Sequence, residues 1–169
     1  VRIWYVTFAK TVPISDYETM FNGAKSVASG DYSCFDKFTY FHRFVHMTTF
    51  TFVCGILFKI FGVSVLNIQL ASAVLSGVCI FIIYLIGKKI NGEKLGLIAA
   101  LFYSGFIPSI AYCAVFTSEN FAMPFLLLSL LFVISAYKSA HIGKSAVNML
   151  ISGALLAVGC LFRGVAPFY

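Results

Sequence analysis

Three ionisable side chains stand where a mostly apolar chain holds them at a cost. Asp16 follows the short apolar segment Ile3–Ala9, Glu119 sits in Thr117-Ser118-Glu119-Asn120 between two long apolar runs, and Arg163 interrupts Cys160-Leu161-Phe162-Arg163-Gly164 at the end of another. A charge at the centre of a bilayer costs roughly 2.5–3.5 kcal/mol on insertion scales, and less toward its edge. Two carboxylates and a guanidinium in such places are candidates for binding ions or handling protons. Each has a plainer use as well. Asp16 can complement a helix dipole, Glu119 can cap the next helix, and Arg163 can snorkel to headgroups. The five cysteines (Cys34, Cys54, Cys79, Cys113, Cys160) show neither CxxC nor a Cys/His ligand spacing. They signal no zinc site and no disulfide framework; no carboxylate cluster demands a metal, and no cofactor is expected.

The elements that must position these charges follow from composition. Of 169 residues, 60% are hydrophobic and 11% charged, with 12 basic against 6 acidic side chains and a net charge of +6. A soluble globule of this size could not bury so much apolar surface. A soluble enzyme, a disordered region and a nucleic-acid-binding domain are therefore excluded, and the chain reads as an all-α integral membrane protein. The basic excess fits loop orientation and lipid headgroups, with no nucleic acid as partner. Because Ile3–Ala9 lies between Arg2 and Lys10, residues 1–12 are expected to be the outer end of a first span that starts upstream of Val1. The whole is expected to be part of a larger polytopic domain, without a separate soluble domain.

Four runs lack Asp, Glu, Lys and Arg: Ile60–Gly87, Leu95–Ser118, Asn120–Tyr137 and Ser145–Phe162, of 28, 24, 18 and 18 residues. At 1.5 Å per residue they predict spans at about 64–88, 95–116, 120–137 and 147–166. Lys88, Lys89 and Lys94 form one basic loop, and Lys138, His141 and Lys144 another. Two spans separate these loops, so both lie on one side, which the positive-inside rule makes cytoplasmic. Glu119 then faces outward, and Arg163 lies outside or just within the outer edge.

Before the first run, Ser15-Asp16-Tyr17-Glu18 has the form of a capping box. Tyr17, Met20, Phe21, Ala24, Val27 and Ala28 follow at helical spacing, and Gly30 supplies a stop. This predicts an amphipathic helix over 15–29, suited to lying on a membrane surface or, as a plain soluble helix, to packing on a neighbour. The segment 44–61 is apolar but short, and hydropathy alone leaves it either a span or a second surface helix.

A sequence order now emerges. Pro13-Ile14-Ser15-Asp16-Tyr17 leads into a helix ending at Ala28-Ser29-Gly30. Phe41-His42-Arg43-Phe44-Val45-His46 precedes an apolar helix closing at Ile60-Phe61-Gly62. Then come the basic turn Lys88-Lys89-Ile90-Asn91-Gly92-Glu93-Lys94, the acid in Thr117-Ser118-Glu119, and Arg163-Gly164. This order resembles the GT-C membrane glycosyltransferases. More narrowly it is similar to the branch holding protein O-mannosyltransferases and lipid A aminoarabinose transferases. One departure is Val45, where many relatives carry a proline.

The resemblance implies a multi-span helical bundle with two extracytoplasmic juxtamembrane helices that do not cross, 15–29 and 44–61. Asp16, His46, Glu119 and Arg163 would then share the outer side. It implies transfer of a sugar from a polyprenyl-phosphate carrier to a hydroxyl on a glycan, lipid or protein, with inversion and without a bound metal. The expected setting is a bacterial cytoplasmic membrane with the site facing outside. Asp16 would be the general base and Arg163 a bidentate phosphate ligand, with His46 a second donor. Arg43 and Glu119 join the expected substrate-binding set. The sugar, carrier and acceptor stay open. Two other function classes fit the same composition, a transporter or permease subunit and a non-catalytic membrane protein.

Overall fold

The computed structural model describes residues 1–9 and 11–164. Lys10 and positions 165–166, the last of the expected 147–166 span, lie outside the described residues. The elements are α1 (Arg2–Phe8), α2 (Asp16–Ser29), a 3-10 turn (Ser33–Phe35), α3 (Tyr40–Arg43), a 3-10 turn (Val45–Met47), α4 (Thr48–Phe61), α5 (Val65–Ser104), α6 (Ile107–Tyr112), α7 (Glu119–Tyr137) and α8 (Ile142–Phe162). The fold is all-α, and three helices, α5, α7 and α8, are long and apolar enough to cross a membrane.

Helix α5 is a hairpin. Its backbone leaves helical geometry at Asn91 and at Gly92, where φ is +86° and ψ is −179°. That region is open only to glycine, so the basic turn can fold the chain back. The two arms touch backbone to backbone, since a Cβ on Gly87 would fall 2.7 Å from Gly96 Cα. Lys138 Nζ, just past α7, donates to the carbonyls of Lys89 and Ile90. Both basic loops therefore lie at one end of the bundle, and the start of α7 and the end of α8 lie at the other.

The expected single span at 95–116 is instead two helices. The second arm of α5 ends at Ser104, and α6 restarts with Pro108 in its first turn. A proline inside a continuous helix would clash with the carbonyl four residues earlier, here that of Ser104. Arg2 bonds the carbonyls at this break, Ser104 O, which has no backbone donor among the described residues, and Tyr103 O, which also accepts the Phe106 amide. Its NH1 donates to Ser104 O at 3.0 Å and its NH2 to Tyr103 O at 2.9 Å, while Nε reaches Ser76 Oγ at 2.8 Å. The side chain is 7% exposed and its guanidinium lies 5.5 Å from the Tyr103 ring centre. An orphan helix carbonyl such as that of Ser104 needs such a partner in an apolar setting.

At the other end α2 and α4 pack on each other. Met20, Ala24 and Val27 are buried, and Tyr17, Phe21 and Ala28 lie partly buried against the core that holds Met20 and Ala24, as their spacing predicts. Gly55 of α4 meets α2 so closely that an added Cβ would fall 2.4 Å from Val27 Cγ1. Helix α4 has 14 residues, about 21 Å of helix against a hydrocarbon layer of about 30 Å. Edge-on aromatic pairs join this layer to the spans: Phe21 and Phe50 both meet Phe116, at 5.7 and 5.2 Å, and Phe50 meets Phe121 at 5.2 Å. Helices α7 and α8 share the hydrogen bond between Ser129 Oγ and Ser152 Oγ, 2.9 Å.

The capping box does not form. Ser15 has φ 56° and ψ −125°, and its side chain makes no cap bond. Its carbonyl instead accepts the amides of Glu18 and Thr19, both at 3.1 Å. The positive φ turns the hydroxyl away from the helix start while bringing the chain from Pro13 into α2.

Candidate functional site

A cavity of about 690 Å³ opens at the end of the bundle away from the lysines, and Asp16, His46, Glu119 and Arg163 all line it. The four come from four separate parts of the chain. Asp16 is the first residue of α2, exposed at the helix start. His46 is carried on the 3-10 turn before α4, Glu119 opens α7, and Arg163 is the residue that ends α8.

Glu119 is held by its surroundings. Gln69 Nε2 donates to Ala114 O at 2.7 Å and to Thr11 Oγ1 at 2.8 Å, and the Thr11 hydroxyl donates to the same Ala114 carbonyl. Asn120 Nδ2 donates to Tyr112 O at 3.0 Å. These bonds fix the loop 113–118 on α5, and with it the start of α7. A buried amide with its donors satisfied holds such a loop better than apolar contact would, because alternatives leave it unpaired.

Arg163 NH1 donates to Glu119 Oε1, and the two side chains are 42% and 24% exposed. The second oxygen, Glu119 Oε2, is buried and has no hydrogen-bond partner among the described residues. Gly164 follows directly. A Cβ there would lie 3.0 Å from His46 Cβ and 3.3 Å from His46 Cγ, so a larger residue would push the His46 turn back by a few tenths of an ångström. The pair Arg163-Gly164 thus supplies a charge and then a gap for its neighbour.

Tyr40 lies near the acid at the start of α2. Its hydroxyl donates to Met47 Sδ at 3.1 Å. Burial pushes the phenol up to about 12, and the nearby Asp16 carboxylate adds to this, because a phenolate would face a second negative charge. Arg43 is not brought into the cavity. It lines a separate surface hollow with Phe38, His42 and Phe44. Helix α3 is only four residues long, and the chain turns at Phe44, so Arg43 and His46 leave the backbone in different directions.

A second cavity, of about 750 Å³, runs between α7 and α8 and is lined mainly by apolar side chains such as Leu126, Leu130, Val133 and Leu156. It shares Tyr112, Glu119 and Arg163 with the first. Tyr112 carries no sequence signal, being one aromatic residue in an apolar run, yet it stands where the two cavities meet. Thr117, another lining residue of the first cavity, is likewise visible only once the loop is folded. Among the described residues no three His, Cys, Asp or Glu side chains cluster in a way that could hold a metal ion.

A family model described as dolichyl-phosphate-mannose-protein mannosyltransferase matches residues 46–169. The chain belongs to this family. It is an integral membrane protein of the glycosyltransferase class, as the resemblance implied. The match to the mannosyltransferase family takes in His46, Glu119 and Arg163 and begins after Asp16 and Arg43. What associates Asp16 with the family's part of the chain is its place on the same cavity wall. No curated protein and no solved structure matches the chain.

Proposed function

We propose that this chain forms the donor end of a membrane glycosyltransferase that moves a sugar from a polyprenyl-phosphate carrier to a hydroxyl acceptor on the extracytoplasmic face, with inversion. The observation that carries this reading is the meeting, at Arg163, Glu119 and Tyr112, of the cavity that gathers Asp16 and His46 with a groove lined mainly by apolar side chains. A lipid-linked sugar phosphate has that same division, with an apolar chain on one side of the phosphate and a sugar on the other. The orientation is supported by the two basic loops, which share the end of the bundle opposite the cavity.

In this reading the isoprenoid chain lies between α7 and α8 and its phosphate reaches Arg163, whose planar fork suits two phosphate oxygens. His46 donates to the same phosphate from the other wall. Asp16 takes the acceptor's proton as the acceptor oxygen bonds to the anomeric carbon. The bond from that carbon to the phosphate oxygen breaks, and its electron pair leaves with the phosphate. The donor starts as a phosphodiester of charge −1. The carrier departs as a monoester that gains the negative charge Asp16 gives up on protonation.

The test is Asp16→Asn in the purified membrane protein, assayed for sugar transfer and for carrier binding. Turnover should fall by about two orders of magnitude or more, within the usual range for losing a general base, while carrier binding changes little. Full turnover in that variant would remove Asp16 from the chemistry.

A further inference from the structure

The unexpected feature of the cavity is that its cation is already occupied. Arg163 NH1 is bonded to Glu119 Oε1, and the other oxygen of the same carboxylate is buried without a partner among the described residues. A carboxylate placed only to hold a helix end would have its second oxygen satisfied or in water. This one is half-satisfied at the junction of the two cavities, which is a poor arrangement for stability alone. Its geometry is that of a ligand substitute, with one anionic oxygen on the guanidinium at the place where the proposed phosphate would sit.

We infer that Glu119 is an internal competitor for Arg163, a counter-ion latch that yields to the carrier phosphate and helps expel it after transfer. The inference rests on the proposed role of Arg163. When a phosphate takes Arg163, the Glu119 carboxylate stays beside it, held by the loop that Gln69 and Asn120 pin down. It then repels the bound phosphate according to its charge. The donor diester carries one negative charge, and the product monoester carries about −1.5 to −2 near neutral pH. Repulsion from Glu119 is therefore stronger for the product than for the donor. The latch biases Arg163 toward accepting donor and releasing spent carrier, and it recloses once the phosphate has gone.

The experiment measures binding of geranylgeranyl phosphate and of its methyl diester to the purified protein in nanodiscs. The proteins compared are the parent, Glu119→Gln, Arg163→Ala and Arg163→Lys. Glu119→Gln keeps the shape of the side chain and removes its charge. It should bind the monoester about 10-fold more tightly, gain less for the diester, and show stronger inhibition by the monoester in transfer assays. Equal or weaker monoester binding by Glu119→Gln, or an equal gain for both lipids, would overturn the latch. The two arginine variants separate the latch from the reading beneath it. If both bind the monoester as the parent does, the phosphate anchor and the latch fall together. If they lose affinity while Glu119→Gln gains none, the anchor stands and only the latch falls.

Discussion

Truncating Arg163 to alanine should cost stability as well as binding, and the structure sets the size of that cost. The guanidinium is the partner of Glu119 Oε1, and Oε2 has none among the described residues. Arg163→Ala therefore leaves a carboxylate with neither oxygen bonded to a described residue. Removing one member of a fully buried pair costs about 3–5 kcal/mol, whereas an exposed pair contributes about 0–1 kcal/mol. With Glu119 24% exposed and Arg163 42% exposed, water partly solvates what remains, and the expected loss is about 1–3 kcal/mol. The double variant Glu119→Ala/Arg163→Ala removes both charges and leaves no orphan. It should regain most of that loss, so that the two changes couple by about 1 kcal/mol or more in a double-mutant cycle. Equilibrium unfolding in mixed micelles would measure the parent, Arg163→Ala, Glu119→Ala and the double variant. Binding of a prenyl phosphate to the same samples should separate the two effects, with the double variant stable but still weak for the lipid. An Arg163→Ala protein as stable as the parent would refute the reasoning, as would a double variant no more stable than Arg163→Ala.

Gly164→Ala tests the close approach at the His46 turn. Its Cβ would lie 3.0 Å from His46 Cβ, so the turn should shift by a few tenths of an ångström, stability should fall by about 1 kcal/mol, and turnover by up to about tenfold; turnover equal to the parent's would show that His46 needs no such placement. Tyr40 gives a pH prediction. Its phenol is raised from 10.0 to about 12, first by burial and then by Asp16. An acid whose folded value is raised holds its proton longer when folded, so the stability it contributes is fully present below pH 10 and is lost as pH rises through about 12. The tyrosinate absorbance missing in Tyr40→Phe should titrate there, and in Asp16→Asn it should move down toward the ordinary value; no movement would mean that Asp16 does not act on Tyr40.

Composition and charge pattern alone decided the class. With 60% hydrophobic residues, and charge-free runs far longer than the about 9–11 residues of a barrel strand, spanning helices were the form that satisfies the backbone in lipid. Helices α7 and α8 follow their runs closely, and α2 presents the face its spacing describes. Three of the candidate charges, Asp16, Glu119 and Arg163, were legible because a charge at the edge of an apolar run is rare and costly. His46 and Arg43 entered only through motif order, and their fates differ: a three-residue turn carries His46 into the cavity and leaves Arg43 on another surface.

What sequence patterns could not carry were contacts between distant positions and competitions among local signals. The Ser15 capping box is locally plausible, but the path from Pro13 into α2 puts Ser15 at a positive φ that removes the cap. The apolar run at 95–116 hid its break, because hydropathy counts side chains while the backbone obeys Pro108 and the carbonyl of Ser104. Arg2 marked only a boundary in the sequence, yet it caps carbonyls 101 and 102 residues away. Tyr112 is one aromatic residue among many until two cavities meet beside it. The pairing of Glu119 with Arg163, 44 positions apart, was likewise decided by the antiparallel packing of α7 and α8, since only that packing brings the start of one helix beside the end of the other.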